Sequence, residues 1–236
     1  MALGVDVVVP TFKRPEALAK CLESLSKQTL APDSIQVVDD SETDFGPGAS
    51  RNKGWKKGKA DIVAFLDDDC IAPVNWVEII VKIFENNDYI GGIEGAMTTE
   101  DECGNTISYN PPTRFKWDRF KTANLIIKRE ALEKINGFDE RYHLHREDTD
   151  LAWRVIDAGY SILWSPECVM HHPEPLGSMG IYAPYPRSEQ LLYRCNSRKY
   201  VESAAGLISR KSVMNGELWK LQKKMRMNQD PNDVRP

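Results

Sequence analysis

Ile62-Val63-Ala64-Phe65-Leu66-Asp67-Asp68-Asp69 decides how this chain folds. A continuous apolar run too short for a typical helix, ending in three acids, reads as a buried strand of a parallel sheet that delivers carboxylates to a site. Side chains alternate along a strand, so extension carried past Leu66 puts Asp67 and Asp69 on one face and Asp68 on the other. Like charges side by side call for a cation, and hard oxygen donors select Mg²⁺ or Mn²⁺, which keeps waters and recruits substrate phosphates. The competing reading is an acidic turn before the helix announced by Pro73, with Asp69 or Asn75 at its N-terminus.

Two earlier strands lead to the same edge. Val5-Asp6-Val7-Val8-Val9 is β-branched and closes at Pro10-Thr11, after which Pro15 opens a helix with the stripe Leu18, Cys21, Leu22 and Leu25. Ile35-Gln36-Val37-Val38-Asp39-Asp40 again ends in acids, and a helix from about Ala49 to Lys57 follows Gly46-Pro47-Gly48. Trp76, Ile79, Ile80 and Ile83 mark the third helix. Three strand-helix units in succession imply a parallel sheet with right-handed crossovers. Ligands of such sheets sit beyond the carboxyl ends of the strands, where Thr11, Asp39 and Asp67 fall.

The second half is less regular. Ile90 to Met97 reads as a strand, Thr98 to Pro112 as a loop or short hairpin, and Thr122 to Ile127 as extended. A short helix from Arg129 to Ile135 stops at Asn136-Gly137, and a longer one runs from Glu147 to Ala158. Short strands at Ser161–Trp164 and Cys168–Met170 lead into His171-His172-Pro173. The stretch from Pro173 to Arg187, rich in Pro and Gly, is expected to be a mobile loop that closes over a bound substrate.

At 236 residues with a net charge of −4, the chain suits one large α/β unit and argues against general nucleic-acid binding. Basic residues crowd the segment after Ser188, beside Leu207, Ile208, Val213, Leu218, Trp219, Leu221, Met225 and Met227. That combination fits basic helices that pack on the domain or adhere to an anionic membrane surface. The five cysteines show no Cys-x-x-Cys spacing, which fits a reducing cytoplasm and no structural zinc. No apolar run reaches the ~20 residues of a membrane span, so a cytoplasmic protein, at most peripheral at the inner face, is expected.

Several clusters carry chemistry. Asp39 after the second strand reads as a nucleoside contact or a plain turn. The Gly-x-Gly-x-x-Gly that NAD binding needs after the first strand is replaced by Pro10-Thr11-Phe12-Lys13-Arg14-Pro15. Arg51 suits a phosphate partner or a solvated surface. Three acids, Glu147, Asp148 and Asp150, exceed what capping a helix requires, and a carboxylate at a helix N-terminus is suited to act as a modest general base. All four histidines, His143, His145, His171 and His172, fall in one window, and a zinc site on His143, His145 and a carboxylate is the competing metal reading.

The ordered set Val8-Val9-Pro10-Thr11-Phe12-Lys13-Arg14, Val37-Val38-Asp39-Asp40-Ser41, Gly48-Ala49-Ser50-Arg51-Asn52-Lys53-Gly54, Phe65-Leu66-Asp67-Asp68-Asp69, Gly137-Phe138-Asp139-Glu140 and Glu147-Asp148-Thr149-Asp150-Leu151 resembles glycosyltransferase family 2. The likeness spans about residues 5 to 172. It implies the GT-A fold: an α/β chain whose Rossmann-like, mostly parallel sheet has a nucleotide-sugar-binding half (1–97) and an acceptor-facing half (98–187); the tail beyond it reads from its own residues as a basic helical extension (188–236). It also implies an inverting transfer from a UDP-linked sugar, assisted by Mn²⁺ or Mg²⁺, to a glycan or lipid-linked acceptor. By position, Asp39 matches the acid that reads the nucleobase, Pro10, Thr11 and Arg14 border the nucleotide, and Arg51 matches a residue near base and diphosphate. Asp67 and Asp69 match the Asp-x-Asp motif, with Asp69 as direct metal ligand, Asp67 nearer the ribose or a metal-bound water, and Asp68 between them on the donor side. His171, directly after its strand, matches the third metal-side ligand better than His172. Asp148 matches the catalytic base, with Glu147 as neighbour or substitute. A catalytically idle module that binds a nucleotide-sugar or a protein partner is the alternative. A sugar nucleotidylyltransferase would need a Gly-rich phosphate loop after the first strand. Tyr109, Phe115 and Trp117 suit stacking on a sugar or a place in the core.

Overall fold

Alternation along the central strands sorts the apolar side chains into two cores, one on each face of a single sheet. In the computed structural model, which describes residues 3–100, 106–108, 120–173 and 186–203, β1 (Val5–Thr11), α1 (Pro15–Ser26), β2 (Ser34–Asp39), α2 (Pro47–Trp55), β3 (Ile62–Phe65) and α3 (Trp76–Asn86) form the first half. Then follow β4 (Ile90–Glu100), β5 (Thr106–Ser108), β6 (Leu125–Lys128), α4 (Arg129–Ile135), α5 (Glu147–Asp157), β7 (Ser161–His171) and α6 (Pro186–Cys195). Tyr109, Phe115, Trp117, residues 174–185, on which most of the expected mobile loop falls, and residues 204–236 lie outside the described residues.

The strand order is β2-β1-β3-β6-β4-β5, with β7 also paired to β4. β1 pairs in parallel with β2 and β3, whereas β6 runs antiparallel between β3 and β4. The two halves therefore share one sheet. Val5, Val7, Val9, Ile62, Ala64 and Leu66 pack towards α1 and α3, against Leu25, Trp76 and Phe84. Val8, Val63 and Phe65 face the other way, onto Trp55, Leu132, Phe138, Leu151 and Trp153. Each such fully buried large side chain contributes about 1.5–3 kcal/mol, so both faces of β3 are committed to burial and only its end remains for chemistry.

Two differences from the sequence reading have simple causes. The two strands expected at Ser161–Trp164 and Cys168–Met170 are one strand, β7, whose register against β4 shifts between Gly95 and Met97. Pro166 lies in that shift, where the lost backbone donor is tolerated. α2 starts at Pro47 instead of Ala49 because a proline fits the first helical position. It lacks an apolar stripe because small residues bring it close to its neighbours on several sides. A Cβ on Gly54 would lie 2.4 Å from Val8 Cγ1, and one on Gly48 would touch Glu147 and Phe138.

Asn124, fully buried in the 3-10 turn before β6, ties the second half together. Its amide donates to the Ala96 carbonyl at 3.0 Å and the Cys168 carbonyl at 2.7 Å, and its Oδ1 accepts from Trp76 Nε1 at 3.1 Å. Removing that side chain strands three polar groups in a dry core. Asn124→Ala should destabilise the chain by about 3 kcal/mol or more, judged by 1–3 kcal/mol per unsatisfied buried group. Urea denaturation checks this; a loss below about 1 kcal/mol would mean that the groups find other partners.

Candidate active site

The three acids occupy a turn at the carboxyl end of β3. Leu66 still pairs with β1, its N–H donating to the Val8 carbonyl at 3.1 Å, but the Cys70 N–H then closes a turn on the Asp67 carbonyl at 3.1 Å. Extension stops there, and the strict alternation of the acids stops with it. Asp68 and Asp69 both pair with Arg14, through Nη2 at 2.8 Å and Nη1 at 2.5 Å, while Asp67 turns to Arg51. Asp68 is wholly buried and also accepts from Thr11 Oγ1 at 2.7 Å. Burial raises its pKa, against the opposing pull of Thr11 and Arg14.

Arg51 is the centre of the arrangement. It sits inside α2 with its side chain 4% exposed, donating from Nη2 to Asp67 Oδ1 at 2.7 Å and from Nη1 to Glu147 Oε1 at 2.9 Å. The Phe138 ring lies 5.7 Å from the guanidinium carbon. Asn52, the next residue of α2, donates to the Phe138 carbonyl and accepts from the Phe138 N–H, both at 2.9 Å. So α2 fixes the end of β3, the Gly137-Phe138 turn and the start of α5 relative to one another. Burial raises the pKa of Glu147, with Asp148 adding to the effect and Arg51 opposing it.

Asp148 differs from its neighbour in being partly exposed. Its described bonds are local, Thr149 N–H at 2.6 Å and Thr149 Oγ1 at 3.3 Å, both on Oδ1. The chain enters α5 through His145 and Arg146, which have φ of 69° and 76°. Two consecutive side-chain-bearing residues in the left-handed region cost about 1–3 kcal/mol each and persist only where their surroundings hold them. Glu189 of α6, buried, accepts from Arg146 Nε at 2.5 Å, lies 3.4 Å from His145 Nε2, and accepts from Tyr200 Oη at 2.7 Å. Ser188 Oγ donates to the Leu144 carbonyl at 2.5 Å.

The adjacent histidines separate at the end of β7. His171 makes a backbone bridge to Ile71, and its ring turns to Thr98, with Nδ1 3.3 Å from Oγ1 and Nε2 3.9 Å from Glu100 Oε1. His172 points to the opposite side, buried, with Nε2 3.4 Å from Asp69 Oδ1. The sequence preference for His171 beside Asp69 is therefore not what the geometry gives, because one further step along the chain reverses the face. Ligand atoms of Asp69, Cys70 and His172 lie within 4.8 Å of one another. Burial, then Asp67 and Asp69, push the Cys70 thiol well above its usual range. Asp69 and His172 offer an oxygen-nitrogen pair of the kind that suits a hard divalent cation completed by water and phosphate oxygens, with the Cys70 sulfur as the third atom of the group. His143 and His145 face different acids, Asp44 and Glu189, and form no such cluster among the described residues.

Asp39 is exposed at the end of β2, opposite Thr11 in register, and its Oδ1 accepts from the Ser41 N–H at 2.9 Å and from Ser41 Oγ. Those bonds lower its pKa. Asp68 and Arg51, expected from sequence as donor contacts, are instead buried with their charged ends held by protein, and Thr11 spends its hydroxyl on Asp68. Sequence reasoning also overlooked Lys121 and Glu94. Burial lowers the Lys121 pKa, while the nearby charges of Glu94 and Asp148 pull it back up. The one legible signal was Glu94, a lone charge inside the apolar, glycine-rich Ile90–Met97 stretch. Nothing marked Lys121.

With this geometry in view, the chain can be set beside known proteins. Residues 6–45 and 41–138 match the family described as "Glycosyl transferase family 2", and residues 105–173 match "N-terminal domain of galactosyltransferase". Glycosyltransferase AglE of Haloferax volcanii is 26% identical, the match covering 74% of this chain and 69% of the relative. Glucosyl-dolichyl phosphate glucuronosyltransferase of the same organism is 23% identical over 72% of this chain and 69% of its own. Among solved structures, S. aureus TarS in complex with UDP-GlcNAc superposes with a TM-score of 0.66 at 17% identity, covering 94% of this chain and 78% of that one, and so shares the fold. The first match spans more than half of the sequence, and the seven-stranded sheet is the GT-A sheet of TarS; this chain belongs to glycosyltransferase family 2.

Proposed function

We propose that this glycosyltransferase moves a sugar from a UDP-linked donor to a hydroxyl acceptor by a single, inverting displacement assisted by a divalent cation. The observation that carries the reading is the Arg51 bridge, which joins the acidic turn of Asp67 to the helix start that presents Asp148. TarS, described in complex with UDP-GlcNAc and with UDP, supports the donor class. The named substrate of the glucuronosyltransferase relative supports a lipid-linked acceptor over a free sugar.

Each residue then has a task. Asp39, with Pro10 and Thr11 at the neighbouring strand end, borders the nucleobase. Arg14, half exposed beside Asp68 and Asp69, is placed to meet the donor diphosphate. Asp69 and His172 would hold Mn²⁺ or Mg²⁺, which when bound stabilises negative charge on the departing diphosphate. Asp67 lies next to the ribose, oriented by Arg51. Asp68 and Arg51 act by positioning: one fixes Arg14 and Thr11, the other fixes Asp67 and Glu147. Asp148 takes the proton of the acceptor hydroxyl as that oxygen bonds to the anomeric carbon, while the bond from this carbon to the diphosphate oxygen breaks on the opposite face. Glu147, locked to Arg51, keeps the helix start in place. The basic segment from Ser188 onward would bring the enzyme to an anionic membrane surface that carries its acceptor.

Asp148→Asn should retain UDP binding and lose UDP release from UDP-GlcNAc by about 10²–10⁴-fold, the usual contribution of a general base. Were Glu147→Gln inactive and Asp148→Asn active, the base would be the other acid.

The histidines give a second check. His172→Ala and Asp69→Ala should each abolish the Mn²⁺-dependent part of UDP binding in calorimetry, whereas His171→Ala should keep it. Loss in His171→Ala with retention in His172→Ala would return the metal-side role to His171.

A further inference from the structure

The family matches end at residue 173, yet α6 and the helical stretch 197–203 that follows it reach the entrance of the proposed catalytic helix. Glu189 is the point of contact. One buried carboxylate faces Arg146 and His145 with Oε1 and accepts Tyr200 Oη with Oε2. Both partners on the α5 side, His145 and Arg146, have left-handed backbones, and Asp148 follows two residues later. Ser188 of α6 and Asn196, between the two helices, make a second set of bonds to this region: Ser188 Oγ to the Leu144 carbonyl, and Asn196 Nδ2 to Asp150 Oδ1 at 3.4 Å. Leu192 and Tyr200 join the core that contains Leu151 and Trp153.

We propose that Glu189 is a positioning residue for the transfer step: it clamps the left-handed pair His145-Arg146 and so sets where Asp148 points. The inference rests on the reading of Asp148 as the base. Without the clamp, Arg146 and His145 lose the buried carboxylate they face and the pair is freer to relax towards right-handed backbone, which re-aims the first turn of α5. The donor side has its own supports in β1, β2 and β3, so donor affinity stays where it was. A residue with a merely structural role would weaken both together.

The test uses the full chain, UDP-GlcNAc with Mn²⁺, UDP release as turnover, and calorimetric UDP affinity as the check on folding. Glu189→Ala and Glu189→Gln should lower kcat at least tenfold with UDP affinity within about twofold of the parent. Glycine adopts the left-handed region freely. The triple variant His145→Gly, Arg146→Gly, Glu189→Ala should therefore recover at least threefold of the kcat lost in Glu189→Ala, because backbone conformation no longer needs the clamp. Unchanged kcat in both Glu189 variants, a parallel loss of UDP affinity, or no recovery in the glycine variant would each overturn the proposal while leaving the transferase reading in place. A parent protein that releases no UDP from UDP-GlcNAc, UDP-glucose or UDP-glucuronic acid, or an Asp148→Asn variant as active as the parent, would overturn the reading and the clamp with it.

Discussion

One buried guanidinium holds the working parts of this enzyme in register. Arg51 reaches Asp67, which is partly open to water, with one nitrogen and the buried Glu147 with another. The Arg51–Glu147 pair is shut away from solvent, so breaking it from one side costs about 3–5 kcal/mol, a large part of the stability of an ordinary domain. The consequence is geometric as much as energetic. The end of β3 and the start of α5 are 80 residues apart in sequence and belong to different halves of the chain, yet one side chain fixes them to each other.

The same logic explains why α2 looks so unlike an amphipathic helix. Its small residues let it lie against β1, Phe138 and Glu147 at once, and that close approach seals Arg51 and Asn52 inside. Asn52 binds both backbone groups of Phe138, so the Gly137-Phe138 turn is carried along with Arg51. Further out, α6 supports the left-handed entry to α5 through Glu189. Three layers of support thus converge on Asp67, Glu147 and Asp148. The acids that meet water, Asp39, Asp67, Asp69 and Asp148, are those with donor, metal or proton tasks in the proposed mechanism, whereas Asp68 and Glu147 are buried.

Much of this was legible in the sequence, because burial on both faces leaves an unmistakable apolar run at Ile62–Leu66 and helix stops such as Asn136-Gly137 carry their own chemistry. The Gly137 N–H closes on the Leu132 carbonyl at 2.8 Å, as that stop requires. What could not be read were side-chain directions after a strand ends. Asp67-Asp68-Asp69 turn instead of extending, so the alternation rule fails one residue past Leu66. His171 and His172 are indistinguishable in composition, and only the pairing of β7 with Ile71 decides which ring faces Asp69. In sequence Arg51 suits a phosphate partner or a solvated surface equally, because a lone arginine does not reveal that two acids from distant segments hold it. Glu189 carries no signal in the sequence, because its contacts are with His145 and Arg146, 44 and 43 positions earlier, which adopt an uncommon backbone.

The central claim is that the anomeric carbon is attacked once, from the face opposite the diphosphate. Time-resolved proton NMR of UDP-GlcNAc with enzyme and Mg²⁺, with water standing in for the acceptor, addresses that most directly. Displacement at the α-linked donor predicts UDP and a free sugar that appears first as the β anomer and mutarotates later. Initial release of the α anomer, or no UDP from this donor or from UDP-glucose and UDP-glucuronic acid under the same conditions, would contradict the account.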